Sequence, residues 1–211
     1  MQELKNLTDY KLSLCDRILD AAIKDFSRRG VKAVKMDDIA ASLGISKRTL
    51  YELYDTKEQV IFEGLKRYHH LKDEELAAYA RDSHHDVLDV IIFLYRRHIN
   101  DTVVLNPAFY EEVSKYPQIV AYIESQRDHR QQNLLRFMQR GVDEGFFRND
   151  INYTIISHVF DALGSYMQRK RLYDKYTFEE LFFNMLFVTL RGFCTAKGIS
   201  KLDQFFATIR P

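Results

Sequence analysis

The side chains with the clearest chemical pattern are hydrogen-bond donors that follow one another closely in the stretch 46–57. They are Ser46, Lys47, Arg48, Thr49, Tyr51 and Lys57. Cationic and hydroxyl groups bind phosphate oxygens, and lysine or arginine also binds the guanine edge in the major groove of DNA. Inward-facing Leu50, with Leu53 or Tyr54, would turn the donors outward on a short helix capped by Ser46. The stretch therefore predicts a nucleic-acid contact.

Two short helices joined by a tight turn are needed to position these donors. Ile39, Ala40 and Leu43 have helical spacing, Gly44 supplies a helix end, and Ser46 caps the amides of the next helix. This is helix-turn-helix spacing, in which the second helix enters the major groove and the first crosses the phosphate backbone. A further helix opens at Thr56, where Gln59 completes a predicted capping box and Lys57 is placed to hold another phosphate.

Local charge favours the DNA interpretation over a purely structural one. Paired short helices around a glycine also occur in helical proteins that bind no nucleic acid. The segment 28–57, however, has seven basic and four acidic residues, a local excess of 7 − 4 = 3, whereas the whole chain carries only +1. The rest of the chain is slightly acidic, so the positive charge is concentrated where the helix pair lies.

The run from Ile18 to Val60 resembles the N-terminal domain of TetR-family transcriptional regulators. The resemblance rests on an apolar helix ending at Phe26 and Gly30 and on four groups in the expected order and spacing: Ile39-Ala40, Gly44-Ile45-Ser46, Thr49-Leu50-Tyr51 and Lys57-Glu58. It covers about a quarter of the chain. It implies a repressor that binds an inverted-repeat operator in double-stranded DNA as a homodimer and is released by a small-molecule effector.

Departures from the family pattern affect individual contacts. Lys35 stands where the family commonly has a threonine, and a lysine can bind phosphate but caps a helix poorly. Arg48 replaces a common glycine and adds a long donor, which predicts an altered base preference. Lys35 therefore joins the predicted DNA contacts named above.

Composition indicates an all-α fold, because the chain has only 3 Pro and 8 Gly among 211 residues and is 46% hydrophobic. We predict a three-helix helix-turn-helix domain at 1–58 and a larger helical ligand-binding and dimerisation domain at 59–211. Cys15 and Cys194 form no disulfide or metal motif. The chain shows no signal-peptide core and no apolar run long enough for a bilayer, so we expect a soluble cytoplasmic protein with no membrane contact.

Helix signals continue through the second predicted domain. Ser13 is a candidate cap for the first helix, and Asn106 is one for a helix that opens at Pro107. Pro117 starts the next helix, which reaches about Glu144. The last two long helices span about 152–173 and 178–196, the second opened by a capping box of Thr177 and Glu180. Both are broadly apolar, which predicts self-association. In the resembling family these two helices form a four-helix dimer interface.

Candidate ligand contacts in the second domain are aromatic or sulfur-containing: Phe93, Tyr95, Phe109, Tyr110, Tyr116, Phe137, Met138, Phe160 and Tyr166. They either line a cavity for an apolar or aromatic effector or simply form core. The histidines match no metal motif, and we expect no metal, no cofactor and no catalytic residue. The alternative function is a helical small-molecule sensor or interaction dimer without sequence-specific DNA binding.

Overall fold

The structure is a computed structural model that describes residues 2–101, 103, 105 and 107–209, with the side chains of 2–8, 107 and 209 left out of the description. Within these residues the backbone is helical, and an isolated antiparallel bridge joins Phe147 to Cys194. The predicted all-α class is confirmed. Among the described helices, none combines the length and the apolar character needed to cross a membrane.

The helices are numbered here in chain order. They are α1 Gln2–Arg29, α2 Met36–Ser42, α3 Lys47–Leu53, α4 Lys57–Arg81, α5 Val87–Asn100, α6 Pro107–Val113, α7 Pro117–Ser125, α8 Arg127–Asp143, α9 Tyr153–Arg169, α10 Phe178–Leu181, α11 Val188–Gly192 and α12 Ala196–Ile209. A 3₁₀ turn lies at Leu172–Asp174, and a π-helical stretch, Phe182–Phe187, joins α10 to α11.

Two compact units divide the chain in a way that differs from the predicted boundary at residue 58. The first unit comprises Met1–Glu75 and Asp101–Ile123, and the second comprises Leu76–Asn100 and Glu124–Pro211. The helices α6 and α7 belong to the first unit because Phe109, Val113 and Ile119 are buried in the same core as α1 to α3. The functional division at residue 58 stays a prediction.

The core of the first unit is built on α1. Ile18, Ala22 and Phe26 recur every fourth residue and are almost completely buried, as the sequence spacing predicts. Gly30 closes the helix with φ +81°, and its N–H donates to the Phe26 carbonyl at 3.0 Å. Ser13 does not cap this helix, since α1 begins at Gln2 and Ser13 lies in its interior.

The core of the second unit is rich in aromatic rings. Phe147, Phe193 and Leu202 are each at most 2% exposed. The rings of Phe147 and Phe193 pack edge to face, with centroids 5.1 Å apart. This core involves α12, because Leu202, Phe205 and Phe206 are all buried in it.

Two predicted helix boundaries are wrong, and one proposed cap cannot be compared with the structure. The helix that opens at Pro117 is interrupted at Gln126, so α7 and α8 are separate. The predicted capping box of Thr177 and Glu180 is confirmed, but the helix ends at Gly192 and not at about residue 196. The helix α12 then follows, which the sequence did not predict. The proposed cap Asn106 lies outside the described residues, although α6 does begin at Pro107.

Candidate nucleic-acid interface

The turn between α2 and α3 sets the direction of the predicted reading helix. Gly44 adopts φ +65°, and the N–H of Ile45 donates to the Ala40 carbonyl at 3.1 Å. Ser46 then caps α3, because its Oγ accepts the Thr49 N–H at 3.0 Å and lies 2.8 Å from the Thr49 hydroxyl. Leu50 is completely buried. The outer face of α3 is therefore fixed by a glycine turn, a serine cap and one apolar anchor.

Lys35 occupies the N-cap position of α2, and its side chain makes no cap hydrogen bond. The cap is supplied from within the helix, since Asp38 Oδ2 accepts the Lys35 N–H at 3.0 Å and Arg29 Nη2 at 3.1 Å. The hydrogen bond from the Lys35 N–H lowers the pKa of the Asp38 carboxyl most strongly, burial opposes it, and the Arg29 guanidinium adds to the lowering. Lys35 itself is exposed beside the helix pair, where a phosphate contact was predicted.

The two cations of α3 are exposed but paired with carboxylates. Lys47 donates to Asp37 of α2, and this bond, with the charge of Asp37, raises the pKa of Lys47. Arg48 Nε donates to Glu52 Oε1 at 2.9 Å, although 88% of the Arg48 side chain is exposed. Tyr51 is 46% exposed on the same helix. The sequence analysis did not predict either ion pair, because it considered the donors on the outer face of α3 and not the carboxylates of Asp37 and Glu52 beside them.

Lys57 differs from the other predicted contacts because it is half-buried. Its ammonium donates to the Val31 carbonyl and lies over the Phe26 ring, 5.7 Å from the centroid. Burial lowers the pKa of Lys57, although the charges of Glu112 and Asp38 act in the opposite direction. A phosphate would compete with Val31 for this ammonium. The contact between Lys57 and DNA stays a prediction.

The nine predicted ligand contacts fall in both units. Phe109, Tyr110 and Tyr116 pack on the first unit's core, where the Tyr110 hydroxyl lies 3.1 Å from His69 Nε2. Six belong to the second unit: Phe93, Tyr95, Phe137, Met138, Phe160 and Tyr166. Of these, Tyr95 and Met138 are buried core residues, whereas Tyr166 is 44% exposed. Core packing accounts for several of them without a ligand, and their ligand role stays a prediction.

A polar groove of about 340 Å³ lies between α8 and α9 within the second unit. It is lined by Arg127, Arg130, Gln131, Leu134, Ser157, Asp161 and Ser165. The Arg127 guanidinium is 3.8 Å from the Asp161 carboxylate, and the buried Ser157 hydroxyl donates to the Thr154 carbonyl at 2.8 Å. None of the nine predicted contacts lines this groove, whose charged lining differs from the apolar site that the sequence suggested.

The second unit also exposes an apolar stripe on α9. Ile155 and Val159 lie one turn apart, and Tyr166 follows seven residues after Val159 on the same face. Their exposed fractions are 59%, 38% and 44%, and Val188 on α11 is 61% exposed. Large apolar side chains grouped on one face are typical of an interaction surface. Across the described residues, no group of three or more His, Cys, Asp or Glu side chains is arranged to hold a metal ion.

Comparison with known proteins agrees with this geometry. Residues 18–63 match the model of the bacterial regulatory proteins of the tetR family. The transcriptional repressor KstR2 of Mycolicibacterium smegmatis is 27% identical over 149 residues, covering 67% of this chain and 71% of the relative. The biofilm operon regulator IcaR of Staphylococcus epidermidis is 44% identical over 45 residues, covering 21% of this chain and 24% of the relative.

A solved TetR-family regulator from Agrobacterium tumefaciens shares the fold, with a TM-score of 0.70 at 15% identity over 88% of this chain and all of that one. The capped, outward-facing helix α3 lies within the matched segment 18–63. This segment therefore resembles, in sequence and in geometry, the helix-turn-helix domain of the tetR family of bacterial regulatory proteins.

Proposed function

We propose that this protein is a transcriptional repressor that binds an inverted-repeat operator as a homodimer and is released by a small molecule. The observation that carries the proposal is α3, whose Ser46 cap and buried Leu50 turn Arg48 and Tyr51 outward. A helix presented in this way can enter the major groove, while exposed Lys35 and Lys47 are placed for phosphates beside it. The names of KstR2 and IcaR as repressors support the direction of control.

The geometry of DNA and the apolar stripe on α9 both support a homodimer. We call the DNA-binding part of each copy, helices α1 to α3, its head. The two heads of a dimer must lie about 34 to 36 Å apart to read successive half-sites on one face of the duplex. The exposed side chains of Ile155, Val159 and Val188 offer a surface that a second copy could cover. We place the dimer contact on α9 and on the segment from α10 to α11, which are the last two long helices of the sequence prediction.

The effector is proposed to be a small apolar or aromatic molecule held by side chains of the predicted ligand domain. Tyr95 supports this class, because its ring packs among Phe178, Phe182 and Phe205 with centroids 4.7 to 6.0 Å apart. Rings in this arrangement offer stacked and edge-to-face contacts that suit an apolar or aromatic ligand. Mass spectrometry of small molecules that copurify with the protein tests the class, and a strongly polar or anionic compound as the sole bound species contradicts it.

Operator binding is tested with a labelled fragment of the DNA upstream of the protein's own gene. We expect retardation of this fragment at low salt, at protein concentrations that leave random DNA of equal length unbound. The affinity should fall steeply between two salt concentrations, because phosphate contacts release counterions. Equal affinity for both DNAs would favour the alternative, a sensor or interaction dimer that lacks sequence-specific DNA binding.

A further inference from the structure

The helix α6 packs in the same core as the DNA-reading head. Phe109 and Val113 are 3% and 0% exposed, and they belong to one cluster of buried residues with Phe26, Ile39 and Leu50. A packed interior transmits small displacements because it contains few voids to absorb them. A polar contact between α6 and the head would therefore act between elements that share one packed core.

Such a contact is made by Glu112, which lies near the end of α6. Its Oε2 accepts the backbone N–H of Lys32 at 2.9 Å. Its Oε1 approaches Gly30 so closely that a Cβ at this position would lie 3.0 Å away. Lys32 and Gly30 belong to the turn between α1 and α2, defined here as the 30–32 turn. The carboxylate of α6 thus holds the backbone from which α2 starts.

Lys57 bonds the same turn at a different residue. Its ammonium, at the start of α4, donates to the carbonyl of Val31, the residue between the two that Glu112 contacts. The charge of Glu112 favours the protonated form of Lys57. The 30–32 turn is therefore held by a carboxylate of α6 and by a cation of α4. Four residues after the turn, α2 begins at Met36.

We propose that Glu112 is a positioning residue for DNA binding, which transmits the position of α6 to the 30–32 turn and through it to α2 and α3. The residue touches no DNA in this scheme. Its hydrogen bond to Lys32 fixes where the helix pair α2 and α3, called here the reading pair, starts. A displacement of α6 therefore changes the affinity for the operator. The inference rests on the proposed function and names the side chain by which the head and α6 are coupled.

Amide hydrogen exchange of the free protein tests the link without DNA. Glu112→Ala removes the acceptor of the Lys32 N–H, and we expect exchange of this amide to accelerate about tenfold or more, as for loss of a hydrogen bond to a charged group. We also expect faster exchange along α2. Glu112→Gln keeps an acceptor oxygen and should restore most of the protection. The matched control is Asp73→Asn, which removes an exposed carboxylate of α4 in the same unit.

Binding to the upstream fragment provides the second measurement. Glu112→Ala should lower specific affinity about fivefold or more, within the usual range of coupling between sites, and Glu112→Gln should lower it less. The slope of affinity against salt concentration should stay that of the wild type, because no phosphate contact is lost. Exchange of amides in α9 should also be unchanged, which separates positioning from general unfolding.

Three results would overturn the proposal. They are unchanged exchange at Lys32 in Glu112→Ala, acceleration confined to Lys32 without any effect on α2, and wild-type operator affinity in a variant whose turn is loosened. If the wild-type protein itself shows no specific DNA binding, the proposed function fails. The exchange measurement then still decides whether Glu112 links α6 to the reading pair.

Discussion

At the level of residues, the intramolecular ion pairs of α3 do not prevent DNA binding. Lys47 with Asp37 and Arg48 with Glu52 are exposed pairs, and such pairs contribute little to stability because water and salt screen them. A phosphate or a guanine edge can replace the carboxylate at little cost. The pairs instead hold two flexible side chains near the face where they are needed, which lowers the entropy lost on binding.

Replacing Arg48 by Ala should relax discrimination between bases, whereas replacing Tyr51 by Phe should weaken binding to all sequences. The reason is that the exposed Arg48 guanidinium can form a bidentate bond with a guanine, while the Tyr51 hydroxyl suits a phosphate. The loss at one base pair should be about 1 to 3 kcal/mol for Arg48→Ala. Competition binding with single-base operator variants measures it.

A matched control for these substitutions is Glu52→Gln, which frees Arg48 from its carboxylate partner without removing it. We expect this variant to keep the preference of the wild type for the same bases. If Arg48→Ala instead lowers the affinity for every operator variant equally, Arg48 contacts a phosphate and the base preference must come from another residue.

The lowered pKa of Asp38 predicts that its contribution to the free energy of unfolding of the head is lost in acid. Its pKa is lowered from 3.8 by the Lys35 N–H and by Arg29, so its contribution is present above the unfolded-state pKa and is lost as the pH falls through the lower folded-state pKa. Asp38→Ala should therefore be less stable than the wild type near neutrality, and the difference should shrink as the pH falls below 3.8. Urea unfolding near neutrality and at a series of acidic pH values measures this. A difference that is independent of pH would mean that packing, and not the charge, is what Asp38 supplies.

At the level of elements, the caps that depend on neighbouring residues could be predicted from the sequence. Ser46 and Thr177 both cap the helices expected of them, since a cap needs only a hydroxyl and an amide three residues away. The cap at Thr56 is a variation: its hydroxyl accepts the Gln59 N–H, but Gln59 Oε1 accepts from Asp55 rather than from Thr56. Neighbouring residues were therefore sufficient to predict the start of α3 in the reading pair.

Features set by distant parts of the chain could not be predicted. The π-helical stretch Phe182–Phe187 contains no glycine or proline from which it could be predicted. Its Phe183 and Phe187 pack on Phe206 of α12, which is distant in sequence. The role of Lys57 depended in the same way on Val31, which is 26 residues earlier. Periodicity reports which face of a helix is apolar, but it does not report which partner lies against that face.

Gly198→Ala should destabilise the second unit. A Cβ at Gly198 would lie 2.4 Å from the Phe146 carbonyl oxygen, and backbone cannot yield as a flexible side chain does. Overpacking of this kind costs about 1 to 3 kcal/mol. Urea unfolding compares the variant with Gly164→Ala, a control in α9 where a Cβ would meet nothing within 4 Å. Unchanged stability of Gly198→Ala would show that α12 can move away from the Phe146 segment.

At the level of the whole molecule, the division into units changes how the domains should be understood. The sequence places a boundary at residue 58 because the family motif ends there, but burial joins α6 and α7 to the head through Phe109, Val113 and Ile119. Pattern matching finds where a motif stops, whereas a compact unit stops where buried contacts stop. A response to an effector that moved α6 would therefore reach the reading pair through a shared core.

The dimer provides the last prediction. Ile155 and Val159 lie one turn apart on α9 and are 59% and 38% exposed, so replacing both by Asp should place two charges in the proposed contact between copies. We expect sedimentation to show a particle of half the wild-type mass. Operator affinity should fall by about two orders of magnitude or more, because the second half-site would no longer be bound at a high effective concentration.

The control for this prediction is Leu71→Asp, which adds a charge at an α4 residue that is 43% exposed. This variant should keep the mass and operator affinity of the wild type, which separates the α9 stripe from the general effect of an added negative charge. A double variant of Ile155 and Val159 that still sediments as a dimer would place the contact elsewhere. A monomer that binds the full operator as tightly as the wild type would show that each head binds independently, and the inverted-repeat geometry would then lose its physical basis.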